Sequence, residues 1–327
     1  MYIKELKFSL WADFIERDYL DNEFKDLINR GVINGATSNP AIFKNAILTS
    51  SAYKEQLSSL SGLSSKEKYE AVAIFDIQKA ADILKPLYDV GDDGYVSIEV
   101  DPYLCDNSEA TIAEGKRLFS EINRKNVMIK IPATEAGYIA MEELTSSGIP
   151  VNATLIFKKS QAIKCAKAFK AGVSKNGDSV DTVISVFVSR IDRALDKKLA
   201  ENEVEIALSG IYNSADIYAS VEALHVEGTR VLFASTGVKD DSLPPPHYYI
   251  EKLLAYNSVN TAPLDTIKAY EKNGGTDKAL PIDAIVIEKH FSIIKELGID
   301  FEAVLDKQIS DGLCQFKDAF KEIMEAL

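Results

Sequence analysis

Tyr95-Val-Ser-Ile-Glu-Val-Asp101 and, one helical stretch later, Val127-Met-Ile-Lys-Ile-Pro132 are the segments whose reading decides the fold. Successive side chains of a β-strand face opposite sides. In the first segment Val96, Ile98 and Val100 therefore form one apolar face, and Ser97, Glu99 and Asp101 form the other. In the second, Lys130 shares a face with Met128, between two isoleucines on the opposite face. Parallel strands covered by helices are ordinarily apolar on both sides. A polar face here predicts either a polar plug inside a closed barrel or a functional site.

Working outward, strand-like runs recur at 7–13, 32–37, 150–156, 182–188, 230–236 and, most weakly, 259–263, besides 95–101 and 127–132. Helical patterns alternate with them. One opens at Asp21-Asn-Glu-Phe and closes at Gly31; others cover 67–88, 107–124, 135–147, 158–171, 190–207, 214–227 and 282–296. Strict alternation implies a parallel sheet, and eight units fit a closed (β/α)8 TIM barrel better than an open doubly wound sheet. With no composition shift or linker, the chain reads as a single catalytic domain over 1–327. The segment 301–327 reads as an additional C-terminal helix that Gly312 can interrupt. The run Leu243-Pro-Pro-Pro-His247 predicts a stiff, ordered loop after the seventh strand.

The bulk properties remove several classes of function. The 327 residues carry a net charge of -13 with no offsetting basic stretch, which argues against nucleic acid or an anionic membrane as partner. An anionic substrate would then need a locally basic pocket. With 46% hydrophobic and 27% charged residues, the chain can bury a large core. No apolar run approaches membrane-spanning length, and the N-terminus has no signal-peptide pattern. Cys105, Cys165 and Cys314 lie far apart without CxxC spacing, which fits free thiols in a reducing cytoplasm. No glycine-rich nucleotide signature follows any strand, and His225, His247 and His290 lack metal-ligand spacing.

The strand ends repeat the polar pattern. Asp13 shares the parity of Trp11; Asn39 follows Gly35-Ala-Thr-Ser; Asn152 and Thr154 share a face; Ser185 lies within Val183-Ile-Ser-Val-Phe187, with Arg190 just beyond. Six strands thus deliver polar groups to the C-terminal end, where barrel enzymes build their sites. A lysine there loses hydration, which disfavours its charged form, and a neutral amine can attack a carbonyl. A single structural plug would account for two or three such positions, whereas six converging on a lysine favour a site. Mg²⁺ among the acidic residues is the alternative charge balance, but the lysine supplies that balance without a metal.

At these same residues the sequence resembles the transaldolase family. The blocks are Trp11-Ala-Asp13, Gly35-Ala-Thr-Ser-Asn-Pro40, Ile98-Glu-Val-Asp101, Met128-Ile-Lys-Ile-Pro-Ala-Thr134, Asn152-Ala-Thr-Leu-Ile-Phe157, Ser185-Val-Phe-Val-Ser-Arg190 and Phe233-Ala-Ser-Thr-Gly237, with Val259-Asn-Thr-Ala-Pro263 a degraded match to the segment that follows. They occur in the family's order from the chain's start to about residue 240. The resemblance implies a (β/α)8 barrel without metal or organic cofactor, acting on small sugar phosphates. The implied reaction moves a dihydroxyacetone unit between sedoheptulose 7-phosphate with glyceraldehyde 3-phosphate and erythrose 4-phosphate with fructose 6-phosphate. By matching position, Lys130 resembles the family's Schiff-base lysine, Asp13 its acid/base, and Glu99 and Thr154 the pair that activates a water. Asn39 and Asn152 resemble ligands of the dihydroxyacetone portion; Ser185, Arg190 and Ser235 resemble phosphate ligands. Where some members carry an arginine after the seventh strand, this chain has Gly237-Val-Lys239, so Lys239 is the candidate for that charge. The rivals are a fructose 6-phosphate aldolase, an inactive barrel kept for binding, and a metal-dependent hydrolase. Oligomeric state stays open, a homo-oligomer included.

Overall fold

The computed structural model describes residues 2–238 and 244–327. Eight strands close into a parallel barrel in sequence order: β1 (Ser9–Ala12), β2 (Gly35–Thr37), β3 (Val96–Glu99), β4 (Val127–Pro132), β5 (Val151–Ile156), β6 (Thr182–Phe187), β7 (Thr229–Ala234) and β8 (Ser258–Ala262). Closure runs through β1 and β8, with Trp11 opposite Thr261. The expected (β/α)8 TIM barrel with a C-terminal helix is therefore the fold.

Between β1 and β2 lie α1 (Arg17–Asp21) and α2 (Glu23–Asn29); between β2 and β3 lie α3 (Pro40–Thr49), α4 (Lys54–Ser59) and α5 (Ser65–Asp89). Each of the next three connections has one helix: α6 (Ser108–Ile122), α7 (Glu135–Ser146) and α8 (Lys159–Asn176). Then come α9 (Ser189–Ala200) and α10 (Ser209–Glu222), α11 (Tyr248–Lys252), and after β8 α12 (Leu264–Asn273), α13 (Ala284–Glu296) and α14 (Phe301–Ala326). Local chemistry sets the boundaries. Ser64 and Glu67 form a reciprocal capping box at the start of α5, Asn107 caps α6, and left-handed Gly177 ends α8.

The two faces of the strands go where parity puts them. Leu10, Ile98, Ile129, Ile131 and Val186 pack outward among the helices. Trp11, Met128, Val183, Leu232 and Val259 fill the barrel interior. Gly35 makes room for that filling, because a Cβ there would lie 2.6 Å from the Trp11 ring. Beneath it, Trp11 Nε1 donates to Asp93 at 2.9 Å, and Arg230 binds both Asp93 oxygens. Burial works against the Asp93 carboxylate, yet the charge and hydrogen bonds of Arg230 hold its pKa below the usual range. The N-terminal end of the barrel is thus sealed by a satisfied ion pair, and the open polar end is the other one.

Four sequence readings are corrected. Asp101 does not point into the barrel: β3 ends at Glu99, and Asp101 turns outward to accept from Tyr103 N and from Lys66 Nζ, each at 2.9 Å. Gly312 does not interrupt the terminal helix, which runs unbroken through it. The stretch 190–207 is helical only to Ala200, and α10 occupies 209–222 rather than 214–227. Finally, α3 after β2 and α12 after β8 are helices that the sequence reading did not name. Of the proline run, Leu243 lies outside the described residues; Pro245 O accepts from Tyr248 N at 2.9 Å and so leads into α11.

Candidate active site

Register brings the site together. On adjacent strands Glu99 pairs with Lys130, Lys130 with Asn152, and Pro132 with Thr154. Lys130 is 5% exposed, and its Nζ lies 3.4 Å from Glu99 Oε2 and donates to Ser38 O at 3.1 Å. Neither Glu99 oxygen has another hydrogen-bond donor among the described residues. Burial dominates that carboxyl and pushes its pKa up to about 7; the Lys130 charge opposes the rise and the Asp13 charge adds to it. Thr154 Oγ1, also buried, has no hydrogen-bond partner among the described residues. Buried polar atoms of this kind are ordinarily satisfied, so Glu99 and Thr154 leave hydrogen-bonding capacity next to the lysine.

A cavity of about 260 Å³ opens above these residues. Of the sequence-derived candidates, Asp13, Asn39, Lys130, Thr154, Ser185, Arg190 and Ser235 line it. Glu99 and Asn152 sit behind that lining; Lys239 falls outside the described residues. Asp13 Oδ1 accepts from Thr37 Oγ1 at 2.7 Å, and Thr37 Oγ1 is 2.7 Å from Thr261 Oγ1. Thr37 has one hydroxyl proton. Since Asp13 takes it, Thr261 must donate in turn, and the chain of hydroxyls fixes the Asp13 side chain. Asn39 spends its Oδ1 on capping α3 through Ile42 N, which leaves its amide N–H groups for the cavity. Asn152 bridges Ser97 and Ser185: it donates to Ser97 Oγ at 3.0 Å and accepts from Ser185 Oγ at 2.6 Å. Ser185 is thereby tied into the barrel interior rather than held out towards the rim. Ser235 sits at a φ of +56°, with its hydroxyl 3.0 Å from that of Ser189.

Sequence reasoning named no site residue on the terminal helix. Gln315 and Phe316 of α14 line the same cavity, and the Phe316 ring centroid lies 5.6 Å from Lys130 Nζ. A bulge in β5 makes this approach possible: Leu155 takes a φ of +57°, the register shifts between Ala153 and Ile156, and Leu155 joins the interior cluster. Gly312 then rests on it; a Cβ would lie 2.9 Å from Leu155 Cδ2 and 3.6 Å from Arg190 Nη1. No signal in the sequence ties Gly312 to residues more than a hundred positions away. Gly312→Val is expected to lift α14, costing about 1–3 kcal/mol of stability by overpacking. Urea unfolding would measure that loss, and Phe316 fluorine or proton resonances would report the displaced roof.

The residue pattern matches a known one. The family model described as Transaldolase/Fructose-6-phosphate aldolase matches residues 10–327. A protein named Transaldolase from Campylobacter jejuni subsp. jejuni serotype O:23/36 (strain 81-176) is 48% identical, covering 98% of this chain and 99% of that one. Another of the same name from Helicobacter pylori (strain Shi470) is 43% identical over the same shares. Among the described residues no helix is long and apolar enough to cross a membrane. With near-complete coverage in both directions and the family's ordered blocks gathered at one end of a closed barrel, the chain is an enzyme of the transaldolase/fructose-6-phosphate aldolase family.

Proposed function

We propose that this enzyme is a transferase of the transaldolase type, acting on sugar phosphates in the pentose phosphate pathway through an imine on Lys130. The observation that carries the reading is a buried lysine on β4, 3.4 Å from a carboxyl with spare hydrogen-bonding capacity, under a cavity lined by cations and hydroxyls. The sequence of steps uses only the chain's own groups. Lys130 passes a proton to Glu99 and its free amine attacks the C2 ketone of the donor. Loss of water, with Glu99 acting through a water held by Thr154, gives a protonated imine. Asp13 takes the C4 hydroxyl proton, the C3–C4 bond breaks, and its electrons pass to the imine to leave an enamine. The first aldehyde departs. The enamine adds to the acceptor aldehyde, whose oxygen regains a proton from Asp13, and hydrolysis of the new imine frees Lys130.

Asn39 and Asn152 hold the hydroxyls of the three-carbon unit, Arg190 and Ser235 face the phosphate, and Ser185 acts through Asn152. Three unbridged cysteines suit a cytoplasmic setting. Fructose 6-phosphate with erythrose 4-phosphate is expected to give sedoheptulose 7-phosphate and glyceraldehyde 3-phosphate, with little turnover when the acceptor is withheld. Steady release of free dihydroxyacetone without acceptor would instead make the enzyme a fructose 6-phosphate aldolase.

Glu99 provides a pH test. A carboxyl whose pKa stands near 7 is partly protonated at neutrality and suited to proton transfer there. Glu99→Gln is expected to lower kcat about 100-fold and to remove the limb near pH 7 from the kcat profile. The sign for stability runs the other way from a salt-bridged acid. Because folding raises this pKa, stability from this group is full below about pH 4 and is lost as pH rises through 7. Glu99→Gln should therefore flatten the decline of Tm between pH 5 and 8.

A further inference from the structure

Two arginines on the first turns of α9, Arg190 and Arg193, line the cavity together. They lie three residues apart, on one helix face. Neither is within ion-pairing distance of a carboxylate among the described residues, although the chain carries 50 acidic residues against 37 basic ones. The acids nearest in charge are otherwise engaged. Asp192 is buried, accepts from Gly210 N and Tyr249 OH at 2.8 Å each, and is pushed up to about 7 by its burial. Asp311 is paired with Lys307, and Asp13 is bound to Thr37. The ordinary arginine pKa is depressed at both, at Arg190 by burial and then by the charge of Arg193, and at Arg193 by burial. A helix N-terminus is itself the positive end of the helix dipole and disfavours cations. Two guanidiniums there, Arg190 half-buried and Arg193 more exposed, repel each other and the helix, and a bound anion relieves both costs.

The hydroxyls point the same way. Arg193 Nη1 contacts Ser189 Oγ at 3.4 Å, and Ser189 Oγ lies 3.0 Å from Ser235 Oγ. Ser235 is held in the left-handed region, a conformation that costs on the order of 1–3 kcal/mol for a residue other than glycine and that gathers at binding sites. Gly237, where a Cβ would lie 3.0 Å from Pro263 Cγ, lines the same cavity as Arg193. The sequence reading looked beyond Gly237 to Lys239 for a second charge and passed over Arg193 as part of an amphipathic helix.

We infer that Arg193, with the hydroxyl of Ser189, is a second phosphate-binding group of this site, clamping the substrate's phosphate monoester dianion against Arg190. The inference rests on the sugar-phosphate reading above. It assigns to Arg193 the discrimination between phosphorylated and unphosphorylated sugars, because one guanidinium meets a monoanion whereas two fit a dianion.

Three measurements test it on the full-length protein. Arg193→Gln is expected to raise KM for fructose 6-phosphate about 30-fold or more while changing kcat far less. It should weaken competitive inhibition by inorganic phosphate by a similar factor, and Arg193→Lys should recover part of both. Dihydroxyacetone, which carries no phosphate, should still be trapped by borohydride, which shows the imine centre and the fold intact. An unchanged KM together with unchanged phosphate inhibition would overturn the assignment and leave the transferase reading standing. Should the parent protein trap no sugar at all, that reading falls, and calorimetric binding of inorganic phosphate to parent and Arg193→Gln proteins decides the anion site by itself. Equal affinities there would also overturn it.

Discussion

Lys130→Met is expected to lower transfer activity by at least about 10⁴-fold, since no other group can supply the electron sink of the imine. Methionine matches the length of the lysine stem and packs well in irregular gaps, so the loss should not come from a collapsed barrel. A stopped assay of sedoheptulose 7-phosphate formation would measure it, and activity within tenfold of the parent would end the imine scheme. The variant also makes a claim about stability. Glu99 loses its one ion-pair partner among the described residues while its carboxyl stays buried. Its pKa, already pushed up to about 7, must rise further. At pH 6 the protonated carboxyl costs little, whereas at pH 9 the uncompensated charge must form or the site must open. The Tm difference between parent and variant should therefore widen from pH 6 to pH 9. A constant difference would mean that Glu99 titrates independently of the lysine.

Asp13→Asn has the next largest expected effect, about 10³-fold in kcat, within the usual range for a general acid–base. Asparagine keeps the shape and can still accept the 2.7 Å bond from Thr37 Oγ1, but it cannot take up a proton. Imine formation, which relies on Lys130 and Glu99, should survive. Bond cleavage should not. Borohydride should then trap the uncleaved six-carbon phosphate of the donor in place of the three-carbon unit. A three-carbon adduct formed at the parent's rate would show that another group removes the C4 hydroxyl proton.

How much of this was legible from the chain follows the range of the interactions involved. The alternation of Val96, Ser97, Ile98 and Glu99, or of Met128, Ile129 and Lys130, is local, and it separated inward from outward residues correctly wherever the strand was regular. Parity failed where a strand ended earlier than its apolar pattern: Asp101 continues the alternation of β3 in sequence, yet it caps a turn instead. The β5 bulge at Leu155 was likewise invisible, because leucine has no local preference for the left-handed region. Gly312, Gln315 and Phe316 lie more than 180 residues along the chain from Lys130, and only the closed barrel brings their helix over it. Arg193 was hidden for a different reason. On a helix rich in lysine and aspartate a third charge looks solvated, and its lack of an ion pair with any carboxylate among the described residues is a fact of three dimensions. The family resemblance supplied roles for the strand-end residues but had no matching position for these four.

The most direct test of the central claim is to incubate the parent protein with fructose 6-phosphate, reduce it with borohydride, and map the adduct by mass spectrometry. The account predicts a single three-carbon adduct on Lys130 that disappears when erythrose 4-phosphate is added before reduction. An adduct on another lysine, or none under conditions that trap a known imine enzyme, would contradict it.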